Sequence, residues 1–406
     1  MWVDREPDRR EAFPALRGDL TVDVAIVGGG FTGATIAWWF ADAGVRVAVL
    51  EAARIGRGST AASTALLMQE PDEDFAALVE RYGERTTRRI WELGREATRL
   101  CVDTLRRLDI ACDLSERDSV YYALMPEAGR RLRDEQRRRS AAGFGGRWLA
   151  RAALEQRTGI AGAAGIRTRG NAQLDPVRAC LGLIRAAADR GAAIFEHARV
   201  TRVSQARDHV TLTTARGRVR ADCLVIATGY ATPAFRPLAG RFRLLNTYVV
   251  ATRPLTSAER RRLGLGPIML WDTDRPYHYA RWTSDHRLLL GGADKPRRAG
   301  RNRRHALRAG VRVLREYFTR LYPSLADVHI DYQWDGVFAM TPDSLPYIGP
   351  HRRYPRHLFA LGYGGNGMTF GFLAGRLLLD AYRGVPTNDL DLFAFSRHAR
   401  LGRDRS

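Results

Sequence analysis

Gly28, Gly30 and Gly33, followed 18 residues later by Glu51, are the residue types and spacing that bind a dinucleotide rather than break a bond. Gly28 permits a tight turn after the apolar run Asp23 to Val27, Gly30 lets a pyrophosphate approach the backbone, and Gly33 lets the next helix pack closely on its sheet. The amides at the start of that helix, around Phe31 and Thr32, have no partner within it and favour an anion. Glu51, with Ala52 after it, ends a second apolar run where a carboxylate can accept hydrogen bonds from both ribose hydroxyls and repel a 2′-phosphate. A stretch of small and hydroxyl residues follows, Gly56-Arg57-Gly58-Ser59-Thr60-Ala61-Ala62-Ser63-Thr64, whose backbone a long ligand can approach. A third glycine loop, Gly362-Tyr363-Gly364-Gly365-Asn366-Gly367-Met368-Thr369, opens the last helix. No Ser/His/Asp arrangement and no metal-ligand spacing is visible, so no metal is expected. Cys101, Cys112, Cys180 and Cys223 lie far apart with no CxxC, as reduced thiols of a cytoplasmic protein do.

Periodicity predicts the elements that carry these residues. Asp23 to Val27 and Val45 to Leu50 read as strands buried on both faces, joined by a helix from about Thr32 to Ala43 that Gly44 ends. Residues 1 to 20 read as a polar leader without chemistry. From 73 to 109, Ile90, Leu93, Ala97, Leu100, Leu105 and Leu108 recur at helical spacing and predict peripheral helices. Asp175 is placed as an N-cap with Pro176 at the first helical position. Asp222 to Gly229 predicts a further buried strand ending in Ala227-Thr228-Gly229. Beyond Phe242 the alternation turns to period two over Thr247 to Thr252, Ile268 to Trp271, Tyr277 to Trp282 and Leu288 to Gly291, which predicts an antiparallel sheet. A helix is expected at about Asn302 to Tyr322 and a last buried strand at His357 to Leu361.

Composition bounds the possibilities. A chain of 406 residues exceeds the size at which one core stops growing, so two domains are expected, and an apolar fraction of 45% excludes disorder. The net charge of +21 is almost all arginine, with Lys295 the only lysine. Runs such as Arg137-Arg138-Arg139 and Arg260-Arg261-Arg262 read as solvated faces rather than nucleic-acid patches, although a charge this large can attract acidic partners. No signal peptide is visible at the N-terminus. The uncharged run from Leu358 to Gly375 is broken by four glycines into strand, loop and helix start, so no membrane span is expected.

Together these motifs resemble the FAD-dependent amine and amino-acid oxidoreductases of the D-amino-acid oxidase and glycine oxidase group. The resemblance rests on the glycine turn with Glu51, the Gly58 to Ser63 loop, Ala227-Thr228-Gly229, the turn Thr341-Pro342-Asp343-Ser344-Leu345-Pro346-Tyr347-Ile348-Gly349, and Gly362 to Thr369. It implies an α/β fold: a Rossmann-like FAD-binding domain of residues 1–85, 165–240 and 335–406, with an inserted α+β substrate domain of residues 86–164 and 241–334 built on the antiparallel sheet. It also implies that Gly28, Gly30 and Gly33 hold the pyrophosphate, Glu51 the ribose, and Val200 the adenine. Arg57, Ser59, Thr60, Ser63 and Thr64 would follow the diphosphate and ribityl chain. Asn366, Gly367, Met368 and Thr369 would lie at the pyrimidine edge of the flavin, with Gly336, Gly362 and Gly364 nearby. Some relatives attach FAD through a cysteine before the proline turn; Trp334 to Thr341 has none, so FAD is expected to be non-covalent. Some place a lysine over the flavin for dioxygen, on the strand that here reads Arg287 to Gly291 without one. The electron acceptor is therefore left open between dioxygen and a quinone or carrier.

The activity implied is oxidation of the C–N bond of a small amine or amino acid, by hydride transfer to flavin N5 and hydrolysis of the imine. Tyr277, Tyr279 and Arg281 alternate onto one face of a strand and are the expected substrate residues, with Arg281 as a bidentate carboxylate clamp and Tyr248 as a further candidate. His278 points the other way and is expected to be structural. Two alternatives stay open: a flavoprotein acting on a modified base in transfer RNA, and a FAD-binding electron-transfer protein without a small substrate.

Overall fold

The apolar runs flanked by glycine become the strands of a first, mainly parallel sheet. The computed structural model describes residues 1–5, 13–264, 266–297 and 302–397. Strand Gly18–Val27 pairs in parallel with Val47–Leu50 on one side and Gly217–Gly229 on the other. Ala193–Phe195 and Tyr354–Leu361 extend the two sides in parallel, and Tyr347–His351 closes the second edge antiparallel. Val24, Ala25, Ile26 and the whole of Val47–Leu50 are at most 1% exposed, as strands covered on both faces must be. Helix Phe31–Asp42 packs between Pro176–Ala188 and Gly367–Tyr382. Asp175 caps the second of these, its Oδ1 accepting from the amides of Val177 at 3.0 Å and Arg178 at 3.1 Å.

The second sheet runs in the order Ile330–Met340, Arg243–Thr252, Leu288–Pro296, Tyr279–Trp282, Met269–Asp272, Ser115–Ala123, Ala164–Gln173, Leu66–Leu67. It is antiparallel except where Met269–Asp272 lies parallel to Ser115–Ala123, a pairing that the long intervening chain permits. One face carries helix Arg303–Leu321, whose Val311, Leu314, Tyr317 and Phe318 form a core with Tyr248, Val250 and Leu290. Strands Ala164–Gln173 and Ile330–Met340 belong to this sheet, so sheet membership departs there from the expected domain segments.

Two other expectations are corrected. The leader is not inert: the first strand starts at Gly18, and Trp2 is 2% exposed, its indole N–H donating to the Ser63 carbonyl at 2.8 Å. Helix Glu84–Arg107 is not peripheral, because its apolar stripe, with Ile90 and Leu93 fully buried, joins the main core against Gly367–Tyr382. The uncharged run at 358–375 divides between strand Tyr354–Leu361 and helix Gly367–Tyr382, and no helix among the described residues is long and apolar enough to cross a membrane.

Candidate functional site

A cleft of about 450 Å³ opens where strands Gly18–Val27, Val47–Leu50 and Gly217–Gly229 end and the free face of the second sheet begins. Its floor is the glycine turn. Gly28 has a φ of +111°, and a Cβ there would lie 2.5 Å from the Ala227 carbonyl oxygen, so this strand end accepts only glycine. A Cβ on Gly33 would lie 1.8 Å from the Gly28 oxygen, which is why the helix can start so tightly against the turn. Glu51 accepts from the amides of Gly29 and Ala53, each at 2.8 Å, and still lines the cleft. Both of its oxygens are thereby oriented, with lone pairs left for hydroxyl donors.

Helix Phe31–Asp42 begins at Gly30 without a side-chain cap, and Phe31 N is met by Thr60 Oγ1 at 2.9 Å. On the opposite wall helix Gly367–Tyr382 begins at Asn366, again without a side-chain cap or an acid in its first turn. Two helix starts on one cleft, neither capped by the side chain of its own N-cap residue, favour a ligand with negative charge at two places. Arg57 does not line the cleft, but its Nε is buried without a partner among the described residues. This donor set fits FAD: a diphosphate at the first helix start, a ribose at Glu51, and the electron-rich edge of a flavin at the second.

Ala52, Ser59, Thr60, Ser63, Thr64, Val200, Ala227, Thr228, Gly229, Gly336, Gly364, Asn366, Gly367 and Met368 all line this cleft; Gly33, Gly362 and Thr369 do not. Thr369 Oγ1 donates to the Met68 carbonyl at 2.6 Å, and Asn366 Nδ2 donates to that of Glu70 at 2.7 Å. These bonds bind segment 68–72 to the loop from the far end of the chain.

Tyr277, which precedes the strand that starts at Tyr279 rather than belonging to it, and Tyr279 line the cleft with ring centroids 5.8 Å apart, beside Thr247, Trp271 and Phe338. Arg281 does not reach it. Residues Tyr279 and Arg281 do share a face, but there the backbone of Thr64 covers the sheet. Arg281 is 3% exposed and donates to the carbonyls of Thr64, Trp282 and Leu174, so a carboxylate clamp at this position is corrected to a buried brace. Burial also lowers its pKa from the usual arginine range. Tyr248 alternates with Thr247 to the other face and packs on Gly310 of helix Arg303–Leu321, away from the cleft. His278 is held by Asp272, Nδ1 to Oδ2 at 2.9 Å, and stacks on Tyr317 at 3.7 Å between centroids.

Sequence reasoning missed Glu70 and Asp72, which line the cleft. Asp72 Oδ2 accepts from Gly365 N at 2.6 Å, its Oδ1 accepts from the Tyr277 hydroxyl at 3.4 Å, and burial pushes its pKa up to about 7. Behind Thr247 lies Asp294, pushed up to about 6 by burial. The signal for the first pair was the acid-rich run Glu70-Pro71-Asp72-Glu73-Asp74 in a chain whose charge is otherwise dominated by arginine.

Fold and cleft define a FAD-dependent oxidoreductase. The chain belongs to the DAO family of FAD dependent oxidoreductases, whose profile matches residues 23–381. It is 28% identical over 393 residues to the gamma-glutamylputrescine oxidoreductase of Escherichia coli strain K12, covering 95% of this chain and 89% of that one. It is 25% identical over 405 residues to the glycine oxidase of Bacillus licheniformis, covering 92% and 96% respectively. Among solved structures, glycine oxidase from Geobacillus kaustophilus matches the fold with a TM-score of 0.79 at 24% identity, over 93% of this chain and 99% of that one.

Proposed function

We propose that this chain oxidises the C–N bond of a small amine or amino acid whose reacting carbon lies between the second sheet and FAD. One observation carries this: Tyr277 and Tyr279 face the glycine loop 362–368 across a single cleft that also contains the dinucleotide turn. Bound FAD supplies the two-electron oxidation. The protein's part is binding and positioning. Gly28, Gly30 and the start of helix Phe31–Asp42 hold the diphosphate, Glu51 the ribose, and Ser59 to Thr64 the ribityl chain. The start of Gly367–Tyr382 favours negative charge on the reduced ring by about 0.3 to 2 kcal/mol, which tunes the reaction without creating it. Trp271, Tyr277, Tyr279 and Phe338 orient the substrate and keep water from its reacting carbon.

The two sheets serve as cofactor and substrate halves of the molecule in this reading. All four cysteines are buried and free, which supports a reducing compartment such as the cytoplasm. The likeness to the relatives above, an amine and an amino-acid oxidoreductase among them, favours a small substrate over a transfer-RNA base or a purely electron-carrying role. The test is anaerobic mixing of the purified holoprotein with a panel of amines and amino acids while the flavin absorbance is followed. Bleaching by one class is expected; a panel in which nothing bleaches would sink the proposal.

A further inference from the structure

Among the described residues, four charged ones line the cleft: Glu51, Glu70, Asp72 and Arg199. Glu51 and Arg199 belong to the dinucleotide end, the first beside the glycine turn and the second next to Val200. At the substrate end only carboxylates remain among the described residues, Glu70 and Asp72, in a chain of net charge +21. Arg281 is committed to backbone carbonyls. Lys295, the only lysine, is exposed and lies outside the cleft. Two guanidinium groups beside the neighbouring Asp74 pair with carboxylates. Arg139 is 1% exposed and pairs with Glu135 at 2.6 Å and with Asp74 at 3.2 Å, and Arg275 lies 3.8 Å from Asp74. Among the described residues, nothing there is arranged to hold a carboxylate.

What is arranged there suits a cation. Asp72 is held by two donors from distant parts of the chain, the Gly365 amide and the Tyr277 hydroxyl, and this also occupies the amide just before the start of helix Gly367–Tyr382. Glu70 is 4% exposed and its Oε1 has no partner among the described residues, although Oε2 accepts from Asn171 at 3.1 Å. The Thr247 and Tyr279 hydroxyls lie 3.0 Å apart, and burial raises the pKa of the nearby Asp294 carboxyl. Trp271 and Tyr277 also line the wall, and aromatic rings can attract ammonium groups. The fixed position of the acid is structural: a Cβ on Gly364 would lie 2.7 Å from Asp72 Oδ2, and one on Gly365 would lie 2.0 Å from the Tyr277 hydroxyl, so both glycines are needed for the contact.

We infer that the substrate is an amine that enters as an ammonium ion, is anchored by Asp72 with Glu70 beside it, and carries no carboxylate on its reacting carbon. The inference rests on the reading of the cleft as an amine-oxidising site, and it narrows that reading from amines and amino acids to amines.

Two experiments on the holoenzyme test it. In the first, primary alkylamines and diamines are compared with the α-amino acids of matching side chain by anaerobic flavin bleaching, for wild type and for Asp72→Asn at equal FAD content. Amines are expected to bleach the wild type with the lower apparent Kd, and in turnover with an added electron acceptor Asp72→Asn is expected to raise their KM about 10- to 100-fold with a much smaller change in kcat. Faster bleaching by α-amino acids, or an Asp72→Asn enzyme with unchanged KM, overturns the inference while leaving C–N oxidation intact. Bleaching by neither class overturns both. The second needs no variant, and so holds even where Asp72→Asn does not fold: alkyltrimethylammonium ions and alkanoates of equal length are compared as competitive inhibitors of wild type. Inhibition by the cations alone supports the anchor. Inhibition by the alkanoates, or by neither series, overturns it.

Discussion

Asp72 shows how a single residue acquires a role that its neighbours in sequence do not give it. Its Oδ2 meets Gly365, 293 residues along the chain, and only that contact turns an acid in a charged run into a fixed carboxylate in a cleft. With its pKa pushed up to about 7 by burial, Asp72 is ionised above that pH and protonated below it. Glu73 raises the value further, while Arg275 and the hydrogen bonds from Gly365 and Tyr277 oppose the rise. The KM for a cationic amine should therefore climb about tenfold per pH unit below 7 and level off above it, with Asp72→Asn flat across the range. Stability carries the opposite sign. The ordinary value is 3.8, so between about 4 and 7 the folded chain holds a proton that the unfolded chain releases, and Asp72 makes the fold less stable as pH rises through that window. Urea titrations at several pH values, wild type against Asp72→Asn, should show that difference in slope. Arg281 is the converse case. Its strand alternation was readable and its residue type suggested a clamp, but the Thr64 backbone that covers it was not readable. Arg281→Leu should orphan buried carbonyls and cost about 1 to 3 kcal/mol of stability for each. For the enzyme that still folds and carries FAD, KM for substrate should stay within about twofold; a rise like that expected of a lost binding group would restore the clamp.

At the scale of elements, what was legible was local. Strand, glycine turn, helix and acid within residues 23–51 specify one another through short-range sterics, and Asp175 with Pro176 marks a helix start by its own hydrogen bonds. What was not legible was partnership. The apolar stripe of Glu84–Arg107 could be read, yet nothing in its residues tells that Gly367–Tyr382 covers it, and the parallel pairing of Met269–Asp272 with Ser115–Ala123 joins segments far apart in the chain. Two glycines separate site from scaffold experimentally. Gly33→Ala would put a Cβ 1.8 Å from the Gly28 oxygen and push helix Phe31–Asp42 off the turn. Gly310→Ala would put one 2.3 Å from the Tyr248 ring, on the far face of the second sheet. Both should destabilise by about 1 to 3 kcal/mol through overpacking. Only Gly33→Ala should also weaken FAD binding, by about tenfold or more, because it alone moves the helix start that meets the diphosphate. Flavin content after gel filtration, read beside urea midpoints, distinguishes the two, and equal FAD loss in both variants would count against the turn as the diphosphate site.

For the whole molecule, the net charge of +21 gave no hint of an acidic substrate end, because a sum over 406 residues does not record which side chains converge on one cleft. Nor could the first glycine motif show how widely its ligand is held. The cleft draws on residues from Val27 to Met368, and strands of both sheets contribute to its walls. FAD in this position would bridge elements that otherwise meet through a shared core, in which Ala251 and Leu289 of the second sheet pack with the helices of the first. A ligand that binds only the folded state stabilises it by about 2.7 kcal/mol at 100 times its Kd. Removing FAD should therefore lower Tm by several degrees, and adding it back should restore Tm in proportion to the logarithm of free FAD. The core around Leu314 and Tyr317 lies on the far face of the second sheet and shares no residue with the cleft lining. Hydrogen exchange should accordingly rise on FAD removal in segments 28–33, 58–72 and 362–369, and change least in helix Arg303–Leu321. Uniform loss of protection would mean that the two sheets unfold as one unit without FAD, and unchanged protection in the three loops would place the cofactor elsewhere.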